Sequence, residues 1–341
     1  MIRIIRSPRA RDHVPGAEIW LGMRTPGTEV PERVDAIEAA IEDWPTMEAL
    51  PHDDEVLLRV HDARLVEHLH TVWDRWGEYG ADRVVPYLFP TAGLLGDLPE
   101  RQPVAPHAAA GRYCYDTMTL VGPGTWEGAR AAVDVALTCV DVVGDGVVYG
   151  LTRPPGHHVT RAAYGGSCYL NNAAVAAEAL RRAGHERVAI VDIDAHHGNG
   201  TQDIFYGRGD VFYGSLHVDP GAGWFPHYAG FADEVGIDDG AGANVNIPLA
   251  PGAGDEAWLD GLRRLADAVS TFGATALVFS LGVDAAADDP ESPLQVSVDG
   301  YDEAGRILGE LRLPTVALQE GGYHLPTLGS LVRATLEGLE A

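Results

Sequence analysis

The sequence predicts an α/β protein of one domain, built as a three-layer α/β/α arrangement around a mostly parallel central sheet. Short continuous apolar runs alternate with amphipathic helical patterns from about residue 147 onwards. This alternation is typical of βαβ units whose parallel strands are covered on both faces. No linker, internal repeat or low-complexity tract divides the 341 residues, so we interpret residues 1–341 as a single domain.

The first half of the chain is mainly helical in its pattern. Apolar residues recur at helical spacing in three segments, which are residues 31–44, 61–76 and 125–143. Residues 77–113 are rich in Gly and Pro and lack clear periodicity, and we interpret them as a long irregular insertion.

The second half alternates strands with helices. Five short apolar runs predict strands, at residues 147–151, 187–193, 210–216, 275–281 and 314–319. Three amphipathic segments between or after these runs predict helices, at residues 171–184, 255–273 and 299–311.

The charge of the chain limits its partners. There are 24 Lys and Arg against 50 Asp and Glu, which gives a formal net charge of −26. Nucleic acid is not an expected partner, because phosphate backbones are held by clustered Lys and Arg. The acidic surface is explained either by solubility or a salty habitat, or by attraction of a cationic substrate.

The sequence also bears on the compartment. The N-terminal segment lacks the apolar core of a signal peptide, and no run approaches the ~18 apolar residues of a spanning helix, so no membrane partner is expected. Three cysteines without CxxC spacing, Cys114, Cys139 and Cys168, argue against a disulfide framework and a thiolate metal cluster. We therefore expect a cytoplasmic protein.

Unusual polar loops follow the predicted strands. In chain order these loops carry the motifs RPPGHH, DIDAHHGNG, SLH, GVD and EGGY. Ligands in open α/β sheets bind outside the carboxyl ends of the strands. We therefore expect the five loops to meet at one edge of the sheet and to form a site.

One group of residues in these loops has the chemistry of a metal site. Asp192, Asp194 and His196 alternate along a strand end and so share a face. With Asp284 from another strand end they offer oxygen and nitrogen ligands that suit Zn²⁺, with Fe²⁺, Mn²⁺ or Co²⁺ also compatible. These residues could instead be polar caps of buried strands, but several desolvated carboxylates without a cation would be costly.

Two further motifs suggest acid/base and oxyanion chemistry. His157 and His158 lie in a rigid Pro-Pro-Gly turn and form a candidate acid/base couple near neutral pH. Tyr323 follows two glycines and could donate a hydrogen bond to a developing oxyanion. A simple turn is the alternative explanation of the Gly-Gly-Tyr motif.

Taken together, the motifs resemble a known family. RPPGHH, GSCYLNN, DIDAHHGNGTQ, SLH, GVD and EGGY occur in the order and spacing of the zinc-dependent histone deacetylase superfamily, which has the arginase/deacetylase fold. Two N-terminal segments, HVPGAEIWLGMRTPGTEVPERVDAI and GRYCYDTMTLVGPGTWEGA, resemble its bacterial acetylpolyamine amidohydrolase branch. The resemblance therefore extends over nearly the whole chain.

The resemblance implies roles for the residues around the metal. Asp194, His196 and Asp284 match the zinc ligands. Asp192, together with Asp194, His196, Ser215 and Leu216, matches a structural site for a monovalent cation, K⁺ or Na⁺.

The resemblance also implies catalytic roles. His157 and His158 match the tandem catalytic histidines, and Tyr323 matches the tyrosine that helps to polarise the substrate carbonyl. Asp192 is the anion behind His157, whereas neutral Asn199 is expected behind the second ring. We therefore expect His158 to be the neutral general base and His157 to act mainly by its charge.

The substrate contacts are expected in several segments. Glu291 resembles a gatekeeper glutamate of a polyamine deacetylase, and Asp116 falls near an acidic position that resembles one that bacterial acetylpolyamine enzymes use to bind a cation. The alternatives are an exposed charge on a turn for Glu291 and a loop cap for Asp116. The expected substrate-binding set also contains Gly166, Ser167, Trp224, Phe225 and Gly321. Ser167 stands where the family normally has Phe or Tyr, so the tunnel should be wider and a bulkier acyl group or a branched amine could fit.

The insertion resembles a segment that forms the subunit interface in the acetylpolyamine branch, which implies a homodimer. Apolar residues that could fill such an interface, or the core, are Trp76, Tyr79, Tyr87, Leu88, Phe89, Leu94 and Leu95.

The expected function is removal of an acetyl or other short acyl group from acetylated polyamines or similar small cationic amines. The alternatives are a protein acetyl-lysine deacetylase, a binuclear manganese ureohydrolase, and a non-catalytic homologue that binds metal or acyl-amines.

Overall fold

The structure, a computed structural model, describes residues 2–79, 82–99 and 101–341. The strands are β1 (Arg3–Arg6), β2 (Glu18–Trp20), β3 (Met23–Thr25), β4 (Thr46–Glu48), β5 (Val147–Gly150), β6 (Val188–Asp192), β7 (Val211–Val218), β8 (Asn244–Leu249), β9 (Ala276–Leu281) and β10 (Thr315–Gln319). Eight of them form one parallel sheet in the order β4-β1-β5-β10-β9-β6-β7-β8. Strands β2 and β3 form a separate antiparallel hairpin.

Helices cover both faces of this sheet. They are α1 (Glu32–Ala40), α2 (Leu57–Val60), α3 (Ala63–Trp76), α4 (Ala92–Leu95), α5 (Pro106–Tyr113), α6 (Thr125–Val142), α7 (Asn172–Arg182), α8 (Asn199–Phe205), α9 (Asp255–Phe272), α10 (Val298–Gly309) and α11 (Leu325–Glu340). Within the described ranges, none of the helices is long and apolar enough to cross a lipid bilayer.

Successive residues of the central strands face opposite layers, as the two-residue period of a strand requires. On β6, Ala189 and Val191 pack into one apolar core, and Val188 and Ile190 pack into the other. Helices α1, α9, α10 and α11 complete the first core, and α2, α3, α6 and α7 complete the second. The predicted three-layer α/β/α architecture is confirmed.

The structure contains each strand and helix that the sequence predicts, with small shifts at the ends. The predicted helix at residues 31–44 ends at Ala40, ahead of Pro45, whose ring disfavours a helical residue before it. The elements that were not predicted from the sequence are β1, β2, β3, β4, β8, α2, α4, α5, α8 and α11. On β8, Asn244 and Asn246 are buried and donate to Gln202, so this strand lacks the continuous apolar run by which the predicted strands were identified.

The insertion at residues 77–113 is more ordered than the sequence analysis expects. It contains α4 and α5, and Val84 pairs with Val121 in an isolated bridge. Helix α5 begins at Pro106, a favourable first position, and continues through three alanines. The description of this segment as irregular throughout is therefore wrong, and its residues 80, 81 and 100 lie outside the described residues.

The sheet order brings the five polar motifs together. Four of the motifs lie at the ends of β5, β10, β9 and β6, whereas SLH is not a loop, because residues 215–217 are part of β7. These five strands are consecutive neighbours in the sheet. All these strands are parallel, so their carboxyl ends share one edge. The predicted convergence of the loops is confirmed.

Candidate active site

The three predicted metal ligands form a compact group at this edge. Asp194 and His196 follow β6, Asp284 follows β9, and one potential ligand atom of each lies within 4.8 Å of the others. The Nδ1 atom of His196 is 3.1 Å from Oδ2 of Asp284 and 3.4 Å from Oδ1 of Asp194. Both carboxylates are fully buried, while the imidazole of His196 is 13% exposed.

Backbone groups hold these ligands in place. The amide of Ala195 donates to Oδ1 of Asp284 (2.8 Å), and the amide of His196 donates to Oδ1 of Asp194 (3.0 Å). The amide of Gly321 donates to the other oxygen of Asp194 (2.7 Å). A Cβ atom at Gly321 would lie 2.5 Å from that oxygen and 2.6 Å from Oδ2 of Asp284. Only glycine fits this position.

The chemistry of this group fits a divalent cation. Burial raises the pKa of Asp284 to about 7, and the negative charge of Asp194 adds to the effect. Two adjacent buried carboxylates are costly unless a cation compensates their charge. The set of two carboxylates and one imidazole matches borderline metals such as Zn²⁺.

The two histidines of the Pro-Pro-Gly turn have different partners. Nδ1 of His157 lies 3.0 Å from Oδ2 of Asp192, which also accepts a hydrogen bond from the hydroxyl of Tyr213. Nδ1 of His158 lies 2.8 Å from the amide oxygen of Asn199. Because that oxygen is an acceptor, Nδ1 of His158 carries the proton and Nε2 remains an acceptor.

These partners separate the two protonation states. Burial opposes a charge on His157, but the carboxylates of Asp194 and Asp192 outweigh burial and raise its pKa to about 10. Burial lowers the pKa of His158 well below its usual range, and the charges of His157 and His196 lower it further. The surroundings therefore favour the charged form of His157 and the neutral form of His158.

Tyr323 lies on the loop after β10 and is supported by charged neighbours. Its backbone amide donates to Asp289 (2.7 Å), and the guanidinium of Arg33 lies 4.9 Å from the centre of its ring. Burial raises the pKa of Tyr323 well above its usual range, against the opposing charge of Arg33. The phenol therefore stays protonated and can donate a hydrogen bond.

One cavity of about 410 Å³ connects these groups. Its lining consists of Glu18, Trp20, Thr25, Pro26, Thr28, Met118, His158, Gly166, Ser167, His196, Gly223, Trp224, Phe225, Pro290, Glu291 and Tyr323. Gly166, Ser167, Trp224, Phe225 and Glu291 thus lie where a substrate could contact them, as the sequence analysis expects. The ring of Phe225 meets the ring of His158 edge to face, with centroids 4.7 Å apart.

Two residues expected to contact substrate are located elsewhere. Asp116 does not line the cavity, and its carboxylate accepts four hydrogen bonds from the loops around it, namely from the amides of Met118, Thr119 and Gly166 and from the hydroxyl of Thr119. Gly321 lies against Asp194 instead of the cavity. The polar groups of Asp116 and Gly321 thus serve the surrounding loops, as the loop-cap alternative for Asp116 predicts, and direct substrate contact by these two residues stays a prediction.

The structure adds an acidic residue that the sequence analysis misses. Glu18, on β2, lines the same cavity as Glu291. Burial raises the pKa of Glu18 to about 7, and the nearby charge of Glu291 raises it further. A carboxylate on a three-residue strand, far from the recognised loops in the sequence, gives no local signal of this role.

A buried charged cluster behind the site is also missing from the sequence analysis. Both oxygens of Glu29 accept hydrogen bonds from Arg153, at 2.8 and 3.0 Å, and Arg33 donates to Glu29 at 2.8 Å. Arg33 also donates to the carbonyl of Gly322 (2.7 Å). The cluster therefore connects the turn that precedes His157 with the loop of Tyr323.

The residues of the expected monovalent-cation site are adjacent. Asp192 on β6 pairs with Ser215 on β7, and Asp192, Ser215 and Leu216 are completely buried. The hydroxyl of Ser215 lies 2.8 Å from Nδ1 of His217.

Known proteins resemble the chain over most of its length. A family model described as histone deacetylase domain matches residues 27–339. The acetylpolyamine amidohydrolase of Mycoplana ramosa is 38% identical, with 99% of each chain covered. That of Burkholderia pseudomallei is 41% identical over 94% of this chain and 93% of the relative. A crystal structure of acetylpolyamine aminohydrolase from Burkholderia pseudomallei superposes with a TM-score of 0.94 at 38% identity, covering 100% of this chain and 99% of the other.

Proposed function

The chain belongs to the histone deacetylase family, and from this membership we propose that it is a metal-dependent amidohydrolase that deacetylates acetylated polyamines. The observation that supports this most strongly is one cavity that joins His196, His158 and Tyr323 with two carboxylates, Glu18 and Glu291. The two histidines and the tyrosine have the chemistry that amide cleavage needs. The two carboxylates can attract the remaining ammonium groups of a polyamine.

Asp194, His196 and Asp284 would hold the metal, and we propose Zn²⁺ on the basis of their mixed oxygen and nitrogen donors. When bound, the metal supplies Lewis-acid polarisation of the amide carbonyl and acidifies water. We further propose K⁺ or Na⁺ at Asp192, Asp194, His196, Ser215 and Leu216, supported by the pairing of β6 with β7.

The side chains of the cavity then divide the reaction between them. Nε2 of His158 accepts a proton as water adds to the amide carbon. The phenol of Tyr323 donates a hydrogen bond to the oxygen that becomes negative. His158 then passes its proton to the amine nitrogen as the carbon–nitrogen bond breaks, so that acetate and the free amine leave. Protonated His157, held by Asp192, stabilises the negative charge from behind.

Substrate preference follows from the acidic lining. Glu18 and Glu291 are half-buried and have no cationic side chain among the cavity residues. A carbon chain with a second ammonium would neutralise them, which favours polyamines over an acylated side chain on a neutral peptide backbone. The net charge of −26 adds a long-range attraction for such cations.

Ser167 lines the cavity together with Phe225, at a position where the family normally has Phe or Tyr. Because serine is much smaller than either aromatic residue, we propose that the cavity has room for acyl groups longer than acetyl or for branched amines. We therefore include short-chain acyl-polyamines among the proposed substrates.

Assembly and location are also proposals. The insertion exposes Tyr79, Tyr87, Leu88 and Leu94, and an apolar surface of this kind supports a homodimer through residues 77–113. The three cysteines are buried and unpaired, which supports a reducing compartment such as the cytoplasm.

The test is acetate release from N8-acetylspermidine. The zinc-loaded protein should release acetate, chelation should abolish the activity, and added Zn²⁺ should restore it. Tyr323→Phe should lower kcat by about 10²- to 10³-fold, the usual cost of one oxyanion donor. Metal binding without turnover of any acylated amine would reject the enzyme in favour of a binding protein.

A further inference from the structure

Glu320 connects the two loops that carry the catalytic groups. It directly follows β10, three residues before Tyr323, and its side chain is fully buried. Its Oε2 atom accepts hydrogen bonds from the backbone amides of Gly156 (2.7 Å) and His157 (3.2 Å). These amides belong to the turn after β5, the neighbour of β10 in the sheet. The carboxylate thus joins the histidine turn to the tyrosine loop.

The main chain of Glu320 is anchored separately. Its amide donates to the carbonyl of Leu281 (2.9 Å), and its carbonyl accepts a hydrogen bond from Arg33 (2.5 Å). The same guanidinium donates to the carbonyl of Gly322. The residue is therefore fixed on one side to the sheet and to Arg33, and on the other side to the histidine turn.

A carboxylate in this position is costly to bury, and apolar or small side chains would avoid the cost. Among the residues that the structure describes, the hydrogen-bond partner of its other oxygen, Oε1, is the hydroxyl of Ser280, at a long distance of 3.4 Å. The bonds to the two amides are thus the main interactions that the side chain makes with hydrogen-bonding groups. The two amides belong to Gly156 and His157, in the turn that carries His157 and His158. The role of the Glu320 side chain is therefore to be sought in the position of this turn.

We infer that Glu320 is a positioning residue that sets the distance between His158 and Tyr323 across the substrate amide. The inference rests on the proposed function, in which His158 transfers a proton to the nitrogen of the amide and Tyr323 donates a hydrogen bond to its oxygen. A catalytic group displaced by about 1 Å can cost on the order of 10²-fold in rate. This role requires a side chain long enough to place an acceptor oxygen at the two amides, and it does not require a negative charge.

Two substitutions at Glu320 separate the effect of side-chain length from the effect of charge. Glu320→Gln keeps the length and one acceptor oxygen for the two amides, and its new amide nitrogen would face the hydroxyl of Ser280. Glu320→Asp keeps the charge but withdraws the oxygens by one methylene group. Leu318→Ala, in the same strand and equally buried, is the control for general loss of stability.

The experiment measures kcat and KM for N8-acetylspermidine together with the melting temperature. We expect Glu320→Gln to keep kcat within about threefold, and Glu320→Asp to lose about 10- to 100-fold in kcat with little change in KM. The reverse order, equal losses in both variants, unchanged kcat in both, or a loss that Leu318→Ala matches would overturn the inference. Inactivity of the wild-type protein would instead refute the proposed function.

Discussion

At the scale of single residues, the two histidines illustrate how one partner sets a protonation state. Asp192 behind His157 favours the charged ring by its negative charge and its hydrogen bond, whereas neutral Asn199 behind His158 contributes a hydrogen bond without a charge. The difference was predictable from the resemblance to the histone deacetylase superfamily, which implies Asp192 behind the first histidine and places Asn199 where many members have a second Asp. Both pKa shifts also depend on burial, and the shift of His158 depends on the charges of His157 and His196, which only the structure reveals.

Asn199→Asp tests this assignment. A carboxylate behind His158 should raise the pKa of that ring, and since the base must be neutral to accept a proton, the acidic limb of the kcat/KM profile should move to higher pH. The measurement is a pH profile of both proteins with N8-acetylspermidine. An acidic limb that stays in place would show that His158 is not the base.

Gly321 shows why residue type can matter without substrate contact. Its amide donates to Asp194, and a side chain there would meet the oxygens of Asp194 and Asp284, two of the proposed metal ligands. We expect Gly321→Ala to weaken Zn²⁺ binding about 10- to 100-fold, as changes next to metal ligands often do. Zinc content after dialysis against a graded chelator measures this effect.

The matched control for that variant is Gly77→Ala, because a Cβ at Gly77 meets nothing within 4 Å. It should keep the zinc affinity of the wild-type protein. Equal zinc retention by Gly321→Ala would mean that the backbone at this position moves freely, and that the close approach is not required.

At the scale of elements, the sequence predicted the parts of the site that follow strands of the sheet. Apolar strands and polar strand ends are both visible in the chain, so the loops with His157, Asp194, Asp284 and Tyr323 could be assigned. The hairpin of β2 and β3 could not, because its contacts are non-local. The amide of Ile19 donates to the carbonyl of Thr117, and the hydroxyl of Thr117 donates to the carbonyl of Ile19. Arg24 forms an ion pair with Asp82. These contacts bring Glu18 to the cavity.

Asp116 is a residue for which the sequence suggested a substrate contact that the structure does not show. Its sequence position near known cation-binding residues suggested substrate contact, but local backbone amides use its oxygens. A short acidic side chain in a loop commonly serves the backbone in this way. Sequence alone does not show which amides lie within reach.

At the scale of the whole molecule, the insertion offers a surface for a second copy of the chain. Trp76, one of the residues proposed for the interface, is only 4% exposed and belongs to the core, whereas Tyr87 and Leu88 are 72% and 51% exposed. The candidate interface is therefore narrower than the sequence predicted, and excludes Trp76 because the end of α3 is buried.

We expect a dimer in sedimentation velocity at micromolar concentration. The double substitution Leu88→Glu and Leu94→Glu should shift the protein to monomer, because it introduces charges into an apolar contact. Leu58→Glu, at another exposed leucine, should leave the dimer intact. A wild-type monomer would contradict the proposed assembly.

The most direct test of an acetylpolyamine deacetylase is its substrate preference. The measurement is kcat/KM of the zinc-loaded protein for N-acetylputrescine, N8-acetylspermidine and an acetyl-lysine peptide, repeated with Glu18→Gln and Glu291→Gln. The polyamines should be preferred, and each substitution should reduce their kcat/KM by about three- to tenfold with little effect on the peptide, since each removes one partly exposed ion pair. Preference for the peptide, or polyamine turnover that ignores both carboxylates, would contradict the proposed function.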